Sequence, residues 1–342
     1  MERFSQFRDK GTGISPFLPI PPTPSGIYLL FHTFLFVIRV SLLVPLSLVY
    51  FLLVSWHPVG SLVKKAALWT LLGIPGIWWV DLQIDGVRRG SLAKQDQRRL
   101  PSAGTIIASS YTSPIDCLYL AAIFDPIFTV SYPGTRGLQQ VSLFQAMLRA
   151  FSPPPTVPPP NARLVDLATL LRDNPDSSIA VFPECTTTNG RGIMPFSPSL
   201  LTAPPKAKIF PISLRYTPAD ITTPIPGTFL SFLWNLCSKP THCIRTRLAE
   251  SIYNTSADVD NIQPVVSKKA NSYETNFFDD FDEKEDAIGD GSDSDGLTDE
   301  ERRVLDKIAE ALARLGRVKR VGLGVKEKQD FLSLWRKRHK TG

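Results

Sequence analysis

Cysteine and histidine are scarce in this sequence, with four of each among 342 residues. The cysteines have no paired spacing, which excludes the disulfide framework of a small secreted domain and favours a reducing compartment. Cys237, His242 and Cys243 form one cluster, but they are too few and too close together for a zinc site. The sequence therefore predicts neither a disulfide scaffold nor a bound metal.

The sequence also lacks an internal repeat, a nucleic-acid-reading motif and a short apolar stretch near its start. The last absence argues against a secretory signal. The net charge is +6, and because no reading motif accompanies the basic residues, no nucleic-acid partner is predicted. Proline is abundant, with 30 residues, and its clustering in residues 1–26 predicts a lead that does not fold alone.

The apolar segment from Ile27 to Val54 has 28 residues and one firmly charged side chain, Arg39. As a helix it would reach ~42 Å, more than the ~30 Å thickness of a bilayer core. It predicts membrane attachment by one tilted span or, because Arg39 and Pro45 interrupt it, by a re-entrant hairpin. A soluble core helix is the remaining alternative.

The stretch 66–80 is too short for a second span and carries Trp78 and Trp79. Such amphipathic rings settle at the head-group level of a membrane, although packing in the core would also suit them. Residues 27–80 are therefore predicted to be membrane-associated.

Runs of β-branched residues alternate with helical patterns beyond this point, which indicates an α/β domain over 81–253, a mixed sheet flanked by helices. The segment 229–236 is apolar and aromatic and either dips into a membrane surface or caps the core. Strands are predicted at 80–87, 105–109, 128–132, 179–182, 208–215 and 243–250, and helices at 117–124, 141–151 and 161–173.

The C-terminal part is divided by charge. Residues 274–301 hold thirteen acidic side chains and one basic, so 254–297 is predicted to be a disordered linker. Thr298 and Glu301 then form a capping box that begins an amphipathic helix, which Gly316 ends. The segment 298–342 is a basic amphipathic tail, suited to anionic lipid or to a partner helix, or else folded back on the domain.

The polar block inside 179–198, IAVFPECTTTNGRGIMPFSP, is the most informative stretch. A buried strand is stopped by Pro183, and Glu184, three threonines and a glycine-bearing turn follow. Threonine hydroxyls, backbone N–H groups and the guanidinium of Arg191 would suit an anionic head group. An ordinary strand with a surface turn is the alternative.

FPECTTTNGRG resembles the FPEGTxxN block of the phospholipid/glycerol acyltransferases, the lysophosphatidate acyltransferase family. Within that family, the chain is most similar to the fungal lysophosphatidic acid:oleoyl-CoA acyltransferase group linked to vacuolar sorting. Three further blocks occur in the family's order, namely YTSPID at 111–116, SYPGTRG at 131–137 and IFPISLR at 209–215.

The resemblance implies acyl transfer from acyl-CoA to a hydroxyl. In the family, a histidine five residues before an aspartate supplies the base, and the aspartate holds its imidazole. Asp116 matches the aspartate, whereas Tyr111 occupies the histidine position. A phenol with a pKa of about 10 is a poor base near neutral pH, and a nearby carboxylate raises that pKa further. Three hypotheses follow: Asp116 acts through water while Tyr111 orients the substrate, another residue is the base, or catalysis has been lost.

The remaining candidate residues are also implied by the resemblance. Glu184 and Thr186 match the family's acidic residue and threonine, and Cys185 replaces a glycine, which removes freedom at positive φ. Thr187 stands where many members have arginine, and Arg191 would supply that charge. The candidate catalytic residues are Asp116 and Tyr111, and the candidate substrate-binding residues are Glu184, Thr186, Arg191, Arg136 and Pro211.

These observations predict a membrane-bound acyl-CoA:lysophospholipid acyltransferase that converts lysophosphatidate to phosphatidate. Acyl-CoA is a co-substrate, and no other cofactor is implied. Its catalytic domain is expected in the cytosol, at the endoplasmic reticulum or a lipid droplet. The alternative, raised by Tyr111, is a non-catalytic lipid-binding or scaffolding protein.

Overall fold

The computed structural model describes residues 2–22, 26–54, 60–87, 99–256 and 296–340. The acidic linker predicted at 254–297 lies almost entirely outside these ranges. The described elements, in chain order, are α1 (Leu29–Val49), α2 (Ser61–Gly73), β1 (Ile77–Ile84), β2 (Ile106–Ser109), α3 (Pro114–Phe124), β3 (Ile127–Val130), β4 (Leu138–Val141), α4 (Leu143–Arg149), β5 (Leu164–Val165), α5 (Leu167–Asp173), β6 (Ile179–Val181), β7 (Gly192–Ile193), β8 (Lys208–Thr217), α6 (Phe229–Ser238), β9 (His242–Leu248), β10 (Ile252–Tyr253), α7 (Asp299–Gly316), β11 (Lys319–Arg320) and α8 (Val325–Lys340).

The apolar segment forms one helix, α1, continued by single turns at each end to cover Gly26–Leu53, with a mean hydropathy of 2.3. Within the described ranges it is the one helix that is long and apolar enough to cross a membrane. Its side chains are largely exposed, and Pro45 lies inside it without reversing its direction. The hairpin alternative is thus not seen within the described part of this segment.

Arg39, the single charge of that segment, contacts the polypeptide chain rather than an apolar surface. Its guanidinium donates hydrogen bonds to the carbonyl oxygens of Cys237 at 3.3 Å and Pro240 at 2.8 Å, and also to that of Lys239. These carbonyls lie at the end of α6, where helix carbonyls lack partners within the helix. Arg39 therefore fastens α1 to the α/β domain.

The domain is built on a mixed sheet in the order β1-β9-β8-β2-β6-β3-β4-β5, with β10 paired to β8. The strands β8, β2, β6 and β3 run parallel, while β4, β5 and β9 are antiparallel to their neighbours except that β9 is parallel to β1. Helices cover both faces, so the mixed α/β architecture predicted from the sequence is confirmed. The two short strands β4 and β5 were not predicted, and α5 starts later than the helix expected at 161–173.

The C-terminal tail packs on the domain. Thr298 and Glu301 form the predicted capping box of α7, and Arg317, with φ 50°, ends the helix in a left-handed conformation. The apolar face of α7, including Ile308 and Leu312, is buried against the sheet. This is the folded-back alternative, and α7 has no free apolar face to offer to a membrane or a partner helix.

The N-terminal lead and α8 pack against each other. Phe4, Phe7 and Phe17 are buried, and each of their rings lies within 6 Å of Phe331 of α8, at 5.5, 5.3 and 5.9 Å between centroids. The lead, which was expected not to fold alone, thus gains its order from the opposite end of the chain.

The parallel strands determine where the polar blocks meet. The loops after β2 and β6 leave the same edge of the sheet, because these two strands are parallel neighbours. This edge, at the carboxyl ends of the strands, is where ligands bind in open α/β sheets. The turn containing Tyr111 and the loop containing Glu184 are therefore brought together by the topology.

Candidate active site

Asp116 is fully buried in the first turn of α3 and accepts four hydrogen bonds. Its Oδ2 accepts from Thr112 N at 2.6 Å, Thr112 Oγ1 at 3.2 Å and Ser113 N at 2.9 Å, and its Oδ1 accepts from the hydroxyl of Tyr216. None of the donors is a histidine. Burial raises the pKa of Asp116 to about 6, and the hydrogen bonds, that from Tyr216 first, limit the rise. Asp116 thus holds the turn after β2 in shape and is largely ionised at neutral pH.

Tyr111, at the position of the family's histidine, is engaged elsewhere. Its hydroxyl donates a hydrogen bond of 2.6 Å to the carbonyl oxygen of Ala146, and its ring stacks on Phe182 with 4.4 Å between centroids. Burial raises its pKa well above the usual value of 10.0. The hydroxyl is therefore not free to orient a substrate. Because its pKa is raised, it also stays protonated near neutral pH and cannot accept a proton as a base.

Glu184 lies beside that turn and is 1% exposed. Its Oε2 accepts a hydrogen bond from Met194 N at 3.1 Å, and the backbone N–H of Tyr111 also hydrogen-bonds to the carboxylate. Oε1 is buried and has no hydrogen-bond partner among the described residues. Burial raises the pKa of Glu184 to about 8. A carboxylate with a free oxygen and a pKa near the physiological range is a candidate for proton transfer.

The residue after Glu184 is strained. Cys185 has φ 59°, in the left-handed region where a side chain other than glycine costs about 1–2 kcal/mol. At this position the sequence has cysteine where the family it resembles has glycine. The loop therefore keeps the left-handed backbone conformation that glycine favours, although the residue is cysteine.

Of three predicted binding residues, two are buried in the domain and one is exposed to solvent. Thr186 is buried in the loop, and Pro211 is buried inside β8, opposite Ala108 of β2. Arg191 is exposed, and its backbone N–H is held by Asn189 Oδ1 at 3.1 Å. Its guanidinium is therefore not returned to the loop as expected.

Arg136 is also placed differently from the expectation. Its Nη1 and Nη2 pair with the two carboxylate oxygens of Glu301 at 2.6 and 3.1 Å. This bidentate pair joins the segment before β4 to the first turn of α7, so Arg136 serves the attachment of the tail in this structure.

Arg149, at the end of α4, is a site residue that the sequence did not reveal. Its Nη2 donates to the hydroxyl of Tyr132 at 3.0 Å, and its guanidinium lies 5.8 Å from the centre of that ring. Arg149, Tyr111 and Thr186 line a narrow cleft of about 30 Å³, together with Phe182 and neighbouring residues. In sequence, Arg149 looked like an ordinary last-turn cation of an amphipathic helix.

Lys328 of α8 is the second missed residue. It is fully buried, and its Nζ donates to Thr186 Oγ1 at 2.7 Å, the carbonyl oxygen of Thr187 at 2.5 Å and Thr187 Oγ1 at 3.3 Å. Burial lowers its pKa to about 7, against the opposing effect of the negative charge of Glu184. The loop thus contains a cation, but it comes from the tail instead of from Arg191.

An apolar cavity of about 610 Å³ lies on the other side of α4. Its walls come from α1, α2, α3, α4 and α6, and it reaches Pro114 and Ile115, next to Asp116. The narrow cleft that contains Arg149 and the apolar cavity are separated by α4, since Ala146 lines the first and Met147 the second. An anionic group could thus bind in the cleft and a long apolar chain in the cavity, with both sites next to the turn that contains Asp116.

The sequence was also compared with those of known proteins. No protein-family profile matches the sequence. A Schizosaccharomyces pombe protein whose provisional name is lysophosphatidic acid:oleoyl-CoA acyltransferase is 28% identical over 284 residues, which cover 80% of this chain and 93% of the relative. Saccharomyces cerevisiae lysophosphatidic acid:oleoyl-CoA acyltransferase 1 is 21% identical over 257 residues, covering 70% of this chain and 80% of the relative. This chain is a homologue of the fungal lysophosphatidic acid:oleoyl-CoA acyltransferases.

Proposed function

We propose that the protein is a membrane-bound acyltransferase that moves an acyl group from acyl-CoA to the free hydroxyl of a lysophospholipid, with lysophosphatidate as acceptor and phosphatidate as product. The observation that carries the proposal is the apolar cavity that meets the Asp116 turn beside a cleft with an arginine. The names of the two relatives support the choice of an oleoyl donor and a lysophosphatidate acceptor.

The cavity suits an acyl chain. A volume of about 610 Å³ lies within the range of ~300–1,000 Å³ usual for ligand pockets, and its walls are mainly leucine and phenylalanine. Part of the wall is α1, whose outer surface is exposed and apolar. A chain that leaves a membrane along α1 could therefore enter the cavity without crossing water.

The cleft suits the phosphate. Arg149 provides a guanidinium that matches a phosphate in a bidentate manner, and Thr186 provides a hydroxyl. At about 30 Å³ the cleft holds only roughly two water molecules. Binding of a head group therefore requires the cleft to open, and one side of it is the proline segment Pro153–Pro155, which has no helix or strand structure.

Proton transfer is assigned to Glu184. The acceptor hydroxyl attacks the thioester carbonyl, its proton passes to the free Oε1, and the carbon–sulfur bond breaks to release CoA, whose thiolate takes up that proton. Asp116 has no free oxygen for this step, because four donors already occupy it. Its role is to fix the turn against which Glu184 is held.

A second candidate function is lipid binding without catalysis. It is favoured by one observation, the hydrogen bond from the Tyr111 hydroxyl to Ala146, which leaves the position of the family's histidine without a base. The two candidates differ in whether Glu184 takes over the role of that base.

An acyl-transfer assay separates them. The purified full chain in phospholipid vesicles would be given acyl-CoAs of several lengths and a panel of lysophospholipids. We expect phosphatidate from lysophosphatidate and a loss of at least ~10²-fold in turnover for Glu184→Gln, with lipid binding retained. Binding of lysophospholipid without any transfer would favour the second candidate.

The domain is proposed to face the cytosol, at the endoplasmic reticulum or a lipid droplet, where acyl-CoA is supplied. Asn254 belongs to a glycosylation sequon, but it is fully buried and its amide donates to the carbonyl oxygens of Leu201 at 2.8 Å and Ala203 at 2.9 Å. A glycan there is incompatible with the fold, so glycosidase treatment of the cellular protein should not change its mass.

A further inference from the structure

We propose that Lys328, carried by the C-terminal helix, is a positioning residue for acyl transfer, which fixes the Glu184 loop and supplies its positive charge. This inference deepens the proposed function and rests on it. It makes the tail a part of the active site, although the sequence places Lys328 in a segment that looks like a basic appendage.

The three contacts of Lys328 use the whole ammonium group. An ammonium has three N–H donors, and each has an acceptor here, two from Thr187 and one from Thr186. The hydroxyl of Thr187 in turn donates to the carbonyl oxygen of Thr223 at 2.6 Å. Lys328 therefore links α8, the Glu184 loop and the segment after β8 into one hydrogen-bonded unit.

The position of Lys328 on α8 argues against a mere attachment role. Val325, Phe331 and Leu332 are buried on the same face of the helix, so Lys328 occupies an apolar position at helical spacing. A buried charge costs several kcal/mol unless it is paired, and an apolar residue would attach the helix at lower cost. The lysine is thus better explained by what it does to the loop.

The tail is held along this loop independently of Lys328. Strand β11 pairs in parallel with β7, and Val321 N donates to the carbonyl oxygen of Ile193 at 2.9 Å. A side chain at Gly192 would lie only 2.8 Å from Val321 Cγ1, so the two segments are in close contact. Substitution of Lys328 therefore leaves α8 with other means of docking, which makes the proposal testable.

The charge of Lys328 acts on Glu184. Among the described residues, the charged groups that act on the pKa of Glu184 are Asp116, which raises it, and Lys328, which lowers it. It opposes the rise in the pKa of Glu184 that burial causes. This effect is the smallest of those acting on the pKa of Glu184, and a lysine with a pKa of about 7 is only partly charged at neutral pH. Without the lysine, that pKa still rises further and proton transfer slows, but we assign the larger part of the loss in rate to misplacement of the Glu184 loop.

The test compares Lys328→Met with Lys326→Met, an exposed lysine on the same helix. Full-length variants in vesicles are assayed for kcat, for the KM of acyl-CoA and for the pH dependence of kcat. For Lys328→Met we expect kcat to fall at least about tenfold at neutral pH, and the rise of activity with pH to move to higher pH. The KM of acyl-CoA should stay within about twofold, and Lys326→Met should match the wild type.

A third variant, Lys328→Gln, retains N–H hydrogen-bond donors without the positive charge. It replaces Lys328→Met in the assay if the methionine variant does not fold. A folded Lys328→Met with wild-type kcat and pH dependence overturns the proposal. Failure of both Lys328 variants to fold, with Lys326→Met native, also overturns it, because the lysine would then serve the fold. Absence of transfer by the wild type instead defeats the proposed function together with this inference.

Discussion

Replacing Asp116 by asparagine should stabilise the protein at neutral pH, although the residue accepts four hydrogen bonds. Asparagine keeps an oxygen for the three donors at Oδ2, and its amide can donate to the hydroxyl oxygen of Tyr216. The substitution removes the negative charge, and it is the burial of this charge that raises the pKa of Asp116. The perturbation therefore measures the penalty for holding an ionised carboxylate at this turn.

The magnitude follows from the pKa of Asp116, which is about 6 in the fold against the ordinary value of 3.8. At about 1.4 kcal/mol for each pKa unit, the ionised form costs the folded state on the order of 3 kcal/mol. Well below pH 3.8 the carboxyl is protonated in both states and the penalty vanishes. As pH rises through 3.8 the unfolded chain releases its proton first, so this group lowers the free energy of unfolding until pH exceeds about 6.

The assay is urea unfolding of the wild type and Asp116→Asn in the same vesicles, at several pH values. Asparagine does not titrate, so the difference in the free energy of unfolding should grow in favour of the variant by roughly 2 kcal/mol between about pH 4.5 and about pH 7.5. Asp166→Asn, at an exposed aspartate, is the control. A difference that does not change with pH, or a variant that unfolds more easily at neutral pH, would show that the ionised Asp116 carboxylate does not destabilise the fold.

Further predictions concern the cavity, the loop and the tail. Leu233→Trp, in the wall of the apolar cavity, should shift the acyl-CoA preference to shorter chains in a competition assay, whereas Leu230→Trp, at a residue 78% exposed on the same helix, should not. Tyr111→Phe should cost about 1 kcal/mol in thermal unfolding and leave kcat within roughly threefold, because the hydroxyl contacts the carbonyl oxygen of Ala146 and the thiol of Cys117, neither of which takes part in the proposed transfer. Cys185→Gly should raise stability by about 0.5–1 kcal/mol by relieving the left-handed backbone, measured by urea unfolding. Gly192→Ala should lower the unfolding temperature and increase proteolysis of the tail, because its Cβ would lie 2.8 Å from a tail side chain.

The sequence predicted the strands of the sheet and the two polar blocks, because both depend on local patterns. Runs such as that ending at Phe182 predict buried strands, whereas the parallel pairing of β2 and β6, which brings Asp116 and Glu184 to one edge, is a finding of the structure. The strain at Cys185 was also foreseeable, since a cysteine replaced a glycine. Short strands such as β5, with two residues, carry too little pattern to be predicted.

The charges of the site could not be predicted, because they depend on contacts between distant segments. Lys328 and Thr186 are 142 residues apart, and no pattern in either segment indicates that the two are in contact. Arg191 was favoured by its closeness in sequence, but Gly190, with φ 70°, precedes it in a turn that leaves its side chain in solvent. The order of the N-terminal lead was equally hidden, since its aromatic rings pack on the last helix of the chain.

If this chain transfers acyl groups as proposed, Glu184 and not Tyr111 receives the proton of the acceptor hydroxyl. The most direct measurement is the initial rate of phosphatidate formation from oleoyl-CoA and lysophosphatidate by the wild type, Glu184→Gln and Tyr111→Phe, at equal protein and matched folding. We predict a clear rate for the wild type and for Tyr111→Phe, and a rate at least ~10²-fold lower for Glu184→Gln. A wild type that binds both lipids but forms no phosphatidate, or a Glu184→Gln variant as fast as the wild type, would contradict the account.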